Sequence, residues 1–408
     1  MNAPIDEASL RPRGSNHVGM RQFNERVVLQ AIRLHGASPK AQIARLTHLT
    51  AQTVQLIIAR LEADELVHKL APVRGKVGQP SVPMALNPDG AFSVGIKIGR
   101  RSLDLLLVDF AGQVRERLSL AYAFPEPATL FDEIDSRLAA LRAVLKPAQR
   151  ERLHGIGIAA PLSLGGWREL LGIAPELADQ WHGIDLRERI AALPAADGLP
   201  VEFVKDTAAA CVAELVAGRG RSMKSFLYVF VDTFIGGGLV LDSHLVGGLS
   251  GNAGAVGSLP MGLSGHRNTA PDQLLSVASL WTLERRYTAA GLEPDAWTDA
   301  RALQEPWLPL TRDWLAAACP ALALAVNSAA CLLDLGAVVI DGSFGRELLA
   351  ELLAGLEPAL DLYSWEGVNR PAVQAGTIGR DARALGGALL PLYAHFAPDR
   401  DLFLKLEP

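Results

Sequence analysis

Near Pro88 the spacing of apolar residues changes, and this change limits the folds open to the chain more than any other feature. Before it, apolar side chains recur at helical intervals in three short blocks; after it they fall into strand-length runs broken by Gly and Asp. From Met20 to His35, Phe23, Val27, Val28, Ala31, Ile32 and Leu34 mark a first helix that Gly36 ends. Ser38-Pro39 offers an N-cap with proline at the first helical position, so a short second helix is expected over Lys40 to Leu46. Thr50 is a fresh N-cap for a third helix reaching about Ala63. Its Val54, Ile57, Ile58 and Leu61 face inward, and Gln52, Thr53, Gln55, Ala59 and Arg60 face out. His48 stands in the turn between them, where such motifs commonly have Gly; His tolerates positive φ better than most residues. Leu66 to Leu70 and Ser81 to Leu86 read as strands on either side of a basic, Gly-rich tip, Arg74-Gly75-Lys76-Val77-Gly78-Gln79-Pro80. Three helices, a tight turn and a β wing make a winged helix-turn-helix, expected over 19–87 behind a flexible N-terminus, 1–18.

Charge divides at the same place. The whole chain carries 39 Lys and Arg against 44 Asp and Glu, a net −5 that by itself argues against nucleic acid. Residues 1–88, however, hold 11 basic and 6 acidic side chains, while 89–408 hold 28 and 38. A basic module on an acidic body is the pattern of a DNA-binding unit joined to something else. Ser38, Thr50, Gln52, Thr53, Gln55 and Arg60 are the candidate DNA contacts on the helices, with Gln able to pair bidentately with adenine. Arg74, Lys76 and Gln79 are the candidates on the wing, along phosphates or in a minor groove.

Cys211, Cys319 and Cys331 are far apart and form no CxxC pair, so buried reduced thiols are expected, with neither a disulfide framework nor a zinc site. The nine histidines show no HxxxH or HExxH spacing, and no metal or other cofactor is expected. The N-terminus lacks the apolar core of a signal peptide. The most membrane-like stretch, Ala321 to Leu333 after Pro320, reads as a buried helix too short to span. A cytoplasmic protein with no membrane partner is the expectation.

Past Pro88, Phe92 to Gly99, Leu103 to Phe110 and Val114 to Ala121 read as a meander with a turn at Arg100-Arg101, followed by a helix over Leu130 to Leu145. Gly155 to Pro161 and Val201 to Val204 read as further strands, and Lys205-Asp206 leads into a helix from Thr207 to Gly218. A second hairpin follows, Phe226 to Val231 and Gly236 to Leu241, then helices, then a strand at Ala337 to Ile340. A meander followed by helices and further strands, occurring twice, indicates two similar α/β lobes.

The order of these segments resembles the ROK family (repressor, open reading frame, kinase) over nearly the whole chain. The resemblance is carried by the wing ending Gly78-Gln79-Pro80, the run Gly155–Pro161, Asp206 entering an Ala-rich helix, Gly236-Gly237-Gly238, and Gly248–Gly257. It implies an α/β protein: a winged helix-turn-helix followed by a two-lobed actin-like (ribonuclease H-like) body of the sugar-kinase type over 90–408. Lobe one would take about 90–204 plus the C-terminal helix, and lobe two about 205–384.

The chain departs from the kinase members where their chemistry resides. The family's first phosphate hairpin, Asp-x-Gly-Gly-Thr, corresponds to Lys97-Ile98-Gly99-Arg100-Arg101. Its second, Gly-Thr-Gly-x-Gly-Gly-Gly, corresponds to Asp232-Thr233-Phe234-Ile235-Gly236-Gly237-Gly238, with an acid that repels phosphate and a ring that fills its space. Lys205-Asp206-Thr207-Ala208 keeps only the general-base aspartate of Asn-Asp-Ala-Asn. Gly251 to Ser258 has Ala255 and Ser258 where the resemblance implies a sugar-binding Glu and a His. Lys205, Asp206 and Asn252 are left as candidate ligand contacts, with Asp206 a vestigial general base. Lys97, Arg100, Arg101 and Asp232 mark a degenerate nucleotide site. Lys97, Arg100 or Arg101 is expected to form an ion pair with Asp232 across the vacated cleft; the competing reading is that the cations take an anionic effector such as a sugar phosphate. Trp181 matches a family loop near the sugar cleft and is also an ordinary packing residue.

The expectation is a dimeric or tetrameric regulator, a repressor of carbohydrate metabolism, that binds operator DNA and senses a sugar or sugar phosphate without catalysis. The alternative is an ATP-dependent sugar kinase carrying a DNA-binding module. Replacing Arg74 or Lys76 by Ala is expected to weaken DNA binding and to flatten its dependence on salt, read as the slope of log K against log salt in fluorescence anisotropy.

Overall fold

The computed structural model describes residues 17–73, 81–166, 168–263 and 270–398. It opens with helix α1 (His17–His35), the two-residue strand β1 (Ser38–Pro39), α2 (Lys40–Thr47) and α3 (Ala51–Ala63), then β2 (Val67–Lys69) and β3 (Pro83–Leu86). The strands form a small antiparallel sheet in the order β1-β3-β2. Val28, Ile32, Ile43, Val54, Ile58 and Met84 fill the space between helices and sheet. Thr50 caps α3 as expected, accepting from the Thr53 amide at 3.1 Å, and His48 takes the left-handed turn at φ 53°.

One cap is not as expected. Ser38 does not cap α2: it pairs with Met84 in the sheet, its Oγ donates to the Gly36 carbonyl at 3.1 Å, and it is buried. A side chain sealed under the sheet cannot reach a base edge, so Ser38 leaves the set of DNA contacts.

The body begins with a meander, β4 (Phe92–Ile98), β5 (Ser102–Asp109) and β6 (Val114–Ala121). α4 (Pro127–Val144) and the single turn α5 (Pro147–Arg150) lead into β7 (Leu153–Ala160). Short helices α6 (Arg168–Leu171), α7 (Pro175–Asp179) and α8 (Leu186–Ala191) precede β8 (Val201–Lys205), from which α9 (Asp206–Ala217) departs. The second half repeats the plan: β9 (Phe226–Val231), β10 (Gly236–Leu241) and β11 (His244–Val246), then α10 (Leu274–Ala278), α11 (Leu280–Ala289) and α12 (Leu308–Leu333). β12 (Ala337–Gly342), α13 (Arg346–Leu360), β13 (Ala372–Ala375) and α14 (Ala382–Phe396) complete it. The sheets run β6-β5-β4-β7-β8 and β11-β10-β9-β12-β13, so each is a three-strand antiparallel meander extended by two parallel strands in the same order.

Layering follows from which faces are apolar. Helices α4 and α8 cover the outer face of the first sheet, and α10 to α13 that of the second. Helices α9 and α14 lie between the sheets, packed against Leu106, Val108, Phe226, Tyr228 and Val339. The sandwiched helices come unusually close to their neighbours. A Cβ on Gly386 of α14 would stand 1.7 Å from the Ala209 carbonyl oxygen of α9, and one on Gly157 of β7 would stand 1.9 Å from that of Gly387.

The apolar stretch ending at Leu333 belongs to a longer helix than expected. α12 has 26 residues, runs straight through Pro320 and, by length and composition, is long enough to cross a membrane. Its inward face, including Trp314, Leu322 and Val326, is buried in the second lobe, while Pro320 sits on the exposed side where its missing N–H is tolerated. Cys331, on that same helix, is exposed rather than buried; Cys211 and Cys319 are buried.

Gly386→Ala is expected to lower the urea midpoint by an amount equivalent to about 3 kcal/mol, because neither backbone at this contact can retreat from an added methyl. Gly336→Ala, where nothing lies within 4 Å of the new Cβ, serves as the control and is expected to change stability by less than about 0.5 kcal/mol.

Candidate functional site

Between the lobes lies a cleft of about 860 Å³ whose walls carry Lys97, Arg100, Arg101, Asp206, Asp232 and Arg383. Lys97 points inward from β4 and is 4% exposed. Its Nζ donates to Asp104 Oδ2 at 3.0 Å, to the Ser102 carbonyl at 3.2 Å and to the Ser102 hydroxyl. Asp104 also accepts from Ser119 Oγ at 2.6 Å. Burial lowers the pKa of the Lys97 ammonium, repulsion from Arg383 adds to this, and attraction to Asp104 and Asp232 only partly offsets it.

Asp232 sits at the end of β9 and is bound by Arg383 from α14, not by the hairpin's cations. The expected pairing therefore fails in its partners: Lys97 is committed to Asp104 on the adjacent strand, and Asp232 to a residue about 280 positions from that hairpin. Arg383 is itself buried, lies 3.7 Å from Asp206 Oδ2, donates to Ser343 Oγ at 3.3 Å and covers the Phe230 ring at 5.1 Å. Burial works against its charge, yet Asp232, Asp206 and Asp104 together raise its pKa. Burial pushes the Asp232 carboxyl up, but Arg383 and Lys97 outweigh this and hold it below the usual range.

A pair across the cleft does exist, between Arg101 of the hairpin and Glu284 of α11, which also accepts from Trp297 Nε1 at 3.2 Å. Arg100 takes another course. Its guanidinium lies 5.1 Å over the Phe234 ring and donates to the Ser163 carbonyl at 3.1 Å, while its Nε is buried without a partner.

Beside the cleft, a smaller cavity of about 210 Å³ brings together Lys205, Asp206 and Asn252, the three candidate ligand contacts, and adds Arg100, Ala255 and Ser258. The retained glycines of the second hairpin serve packing here. They open strand β10, and a Cβ on Gly237 would meet the Gly254 carbonyl at 2.8 Å. Trp181 is buried, donates to the Pro125 carbonyl at 2.9 Å, and lines a separate hollow of about 490 Å³ with His182 and Phe203. Among the described residues, no group of three or more His, Cys, Asp or Glu is placed to hold a metal ion.

On α3, Gln52, Gln55 and Arg60 are exposed and Thr53 is half-buried. The hydroxyls of Thr50 and Thr53 bond to each other at 2.8 Å, and Arg60 reaches Glu25 of α1 at 3.3 Å. Leu56 is also exposed on this face. Arg74, Lys76 and Gln79 lie outside the described residues; the strands bracketing them close through a bridge between Val73 and Ser81.

The winged helix is bound to the body at the C-terminal end of α14. Arg33 of α1 donates to the Phe110 carbonyl at 2.9 Å and lies over the rings of Phe110 and Tyr393. Arg221 donates to the carbonyls of Arg33 and Leu34, satisfying the last turn of α1 where a cation is favoured. Leu392 joins the winged-helix core, and Phe396 packs against it.

The family model for the ROK family matches residues 93–392. The chain belongs to the ROK family. An uncharacterized protein of Sinorhizobium fredii, y4fQ, is 24% identical over 379 residues, 92% of each chain. The xylose repressor of Bacillus subtilis is 24% identical over 250 residues, 60% of this chain and 62% of that one. Among solved structures, a ROK family transcriptional regulator described as a homolog of the Escherichia coli Mlc protein superposes with a TM-score of 0.66. It is 20% identical, and the match covers 93% of this chain and 97% of that one. At that identity the likeness speaks for the fold alone.

Reading the residues in sequence missed Arg383, Asp104 and Glu284. The first had a signal. Arg383 is the one Arg, Lys, Asp or Glu in α14, set in the run Ala-Arg-Ala-Leu-Gly-Gly-Ala-Leu-Leu. A lone charge on an otherwise apolar helix must find a buried counter-charge.

Arg383→Met is expected to cost about 3–5 kcal/mol, since it strands Asp232 in the interior. The pH dependence should change with it. In the native protein the depressed carboxyls of Asp232 and Asp104 contribute stability that is present above about pH 4 and lost as pH falls further. In the variant Asp232 lacks its main counter-charge, so acidification from pH 7 toward 5 should recover stability. Urea midpoints across that range check both signs.

Proposed function

We propose that this protein is a transcriptional repressor of carbohydrate metabolism: the winged helix binds operator DNA, and the ROK body responds to a sugar-type ligand without transferring phosphate. The observation that carries the reading is the placement of α14. At one end Arg383 holds Asp232 and Asp206 in the cleft; at the other, Leu392, Tyr393 and Phe396 meet α1 and its core. Ten residues separate Arg383 from Tyr393, about 15 Å along one helix that contains Pro391. A ligand that alters how Asp206 is held therefore acts on an element the DNA-binding unit is packed against. The names of the Bacillus subtilis xylose repressor and the Escherichia coli repressor Mlc, 23% identical over 56% of this chain, support the same reading.

Against phosphoryl transfer stand the residues in the nucleotide position. A half-buried carboxylate, Asp232, lines the cleft in the loop that the kinase resemblance assigns to phosphates, and the Phe234 ring and Arg100 guanidinium stack upon each other beside it. The residues present do not fit a nucleoside triphosphate. For DNA, the exposed Gln52 and Gln55 offer the base-reading chemistry, with twofold assembly as a dimer or tetramer giving palindromic half-sites.

With the full chain on DNA recovered by footprinting upstream of sugar-utilisation genes, Gln52→Ala and Gln55→Ala are each expected to weaken specific binding by about tenfold, with non-specific binding unchanged. Equal loss on random DNA would remove these side chains from base reading. Sugar-dependent ATP turnover by the same preparation would overturn the non-catalytic reading.

A further inference from the structure

The smaller cavity holds two cations against one acid. Of the other cations in the adjoining cleft, Lys97 is committed to Asp104 and Arg383 to Asp232. In the smaller cavity the ionisable lining groups are Arg100, Lys205 and Asp206. The charge of Asp206 is met from outside by Arg383 at 3.7 Å. The two cations are not matched. Arg100 has a carbonyl partner, an aromatic face and a buried Nε that donates to nothing. Lys205 has three N–H donors and, among the described residues, one long hydrogen bond, 3.5 Å to the Gly237 carbonyl. Among the described residues neither forms an ion pair within 4 Å. Burial lowers the pKa of both; Asp206 raises both and Asp232 raises that of Arg100, without offsetting the burial.

The remaining wall offers the complement of a sugar ring. Asn252 and Ser258 supply amide and hydroxyl groups, Phe234 an apolar face, and Ala255 leaves room without adding a carboxylate. A neutral sugar would leave Arg100 and Lys205 as they stand. A ligand bearing an anion would satisfy both, with the fork of a guanidinium matching a carboxylate or phosphate.

We propose that this pocket takes an anionic monosaccharide, its carboxylate or phosphate held between Arg100 and Lys205 and its hydroxyls by Asp206, Asn252 and Ser258. The assignment rests on the reading of the body as a carbohydrate sensor and narrows it to one chemical class. Arg100 also lines the larger cleft, beside the Arg101–Glu284 pair, so a ligand drawing Arg100 into the small pocket acts at the seam between lobes.

The test uses the full-length protein and matched sets of probes: glucose with glucuronate and glucose 6-phosphate, galactose with galacturonate and galactose 6-phosphate, and inorganic phosphate alone. Thermal shift and calorimetry are expected to show an acidic sugar binding at least about tenfold more tightly than its neutral parent, and the uronate and phosphate arms tell the two anions apart. Arg100→Gln and Lys205→Met are each expected to weaken that binding by about tenfold or more while the unliganded melting temperature holds; Arg100→Lys should keep part of it. Neutral parents binding as tightly, unchanged affinity in both variants, or inorganic phosphate binding as well as any sugar overturns the anionic assignment and leaves the DNA-binding reading standing. Failure of every sugar, neutral or acidic, overturns the carbohydrate-sensing reading and this assignment with it. Should a variant fail to fold, the acidic-over-neutral preference of the native protein decides.

Discussion

The guanidinium of Arg383 is the charge around which the two lobes are arranged. Taking an arginine out of water costs several kcal/mol, and Arg cannot shed its proton to escape the cost. The protein answers with Asp232 from the end of β9, Asp206 from the start of α9, and the field of Asp104 from β5. These three acids belong to different elements in both halves of the body. Their convergence fixes α14 in depth and rotation. The glycine contacts at Gly157 and Gly386 fix it in distance, since the helix lies closer to β7 and α9 than any side chain would allow. Packing without the ion pairs would leave buried carboxylates uncompensated, and the ion pairs without the glycines would hold α14 too far from its partners for its apolar face to close.

This arrangement changes what the basic hairpin residues mean. Lys97, Arg100 and Arg101 fall within five residues and look like one cationic patch. The pleat and turn send them three ways: Lys97 under the sheet to Asp104, Arg101 across the cleft to Glu284, and Arg100 along Phe234 toward the small cavity. Among the described residues Lys97 and Arg101 form ion pairs and Arg100 does not. The same sorting applies to acids. Asp232 would repel a phosphate if free; as Arg383's partner its charge is met from α14, and it ties the loop to that helix.

Much of this was legible in the residues. Caps, periodicity and wing identified the winged helix because those signals are local: Thr50, His48 and the Val54–Leu61 stripe each act within one turn of chain. The repeated meander was legible because strand period and turn residues are local too. What escaped needs distance. Ser38 carries an ordinary cap signal, but pairing of Pro39 and Ser38 with Pro83 and Met84 outcompetes it, and nothing near Ser38 announces a strand more than 40 residues away. β13, four residues paired only to β12, is too short to show a period. Asp232 could be read as a misfit in a phosphate loop, whereas its partner could be found only by asking what the lone arginine of α14 was for.

The join between winged helix and body follows the same logic from its other end. α1 finishes on carbonyls that Arg221 of the body satisfies, and Arg33 is clasped by Phe110 and Tyr393. The helix end is thus completed by residues of the body, and Phe110 and Leu392 enter the winged-helix core. A unit docked in this way cannot rotate without leaving backbone carbonyls unpaired and apolar surface open, so its orientation follows α14. A cleft ligand need not reach across the molecule to be felt at α3. On the function proposed above, it has only to bind one setting of Arg383 and its acids better than another, because an allosteric effect is limited to that difference in affinity.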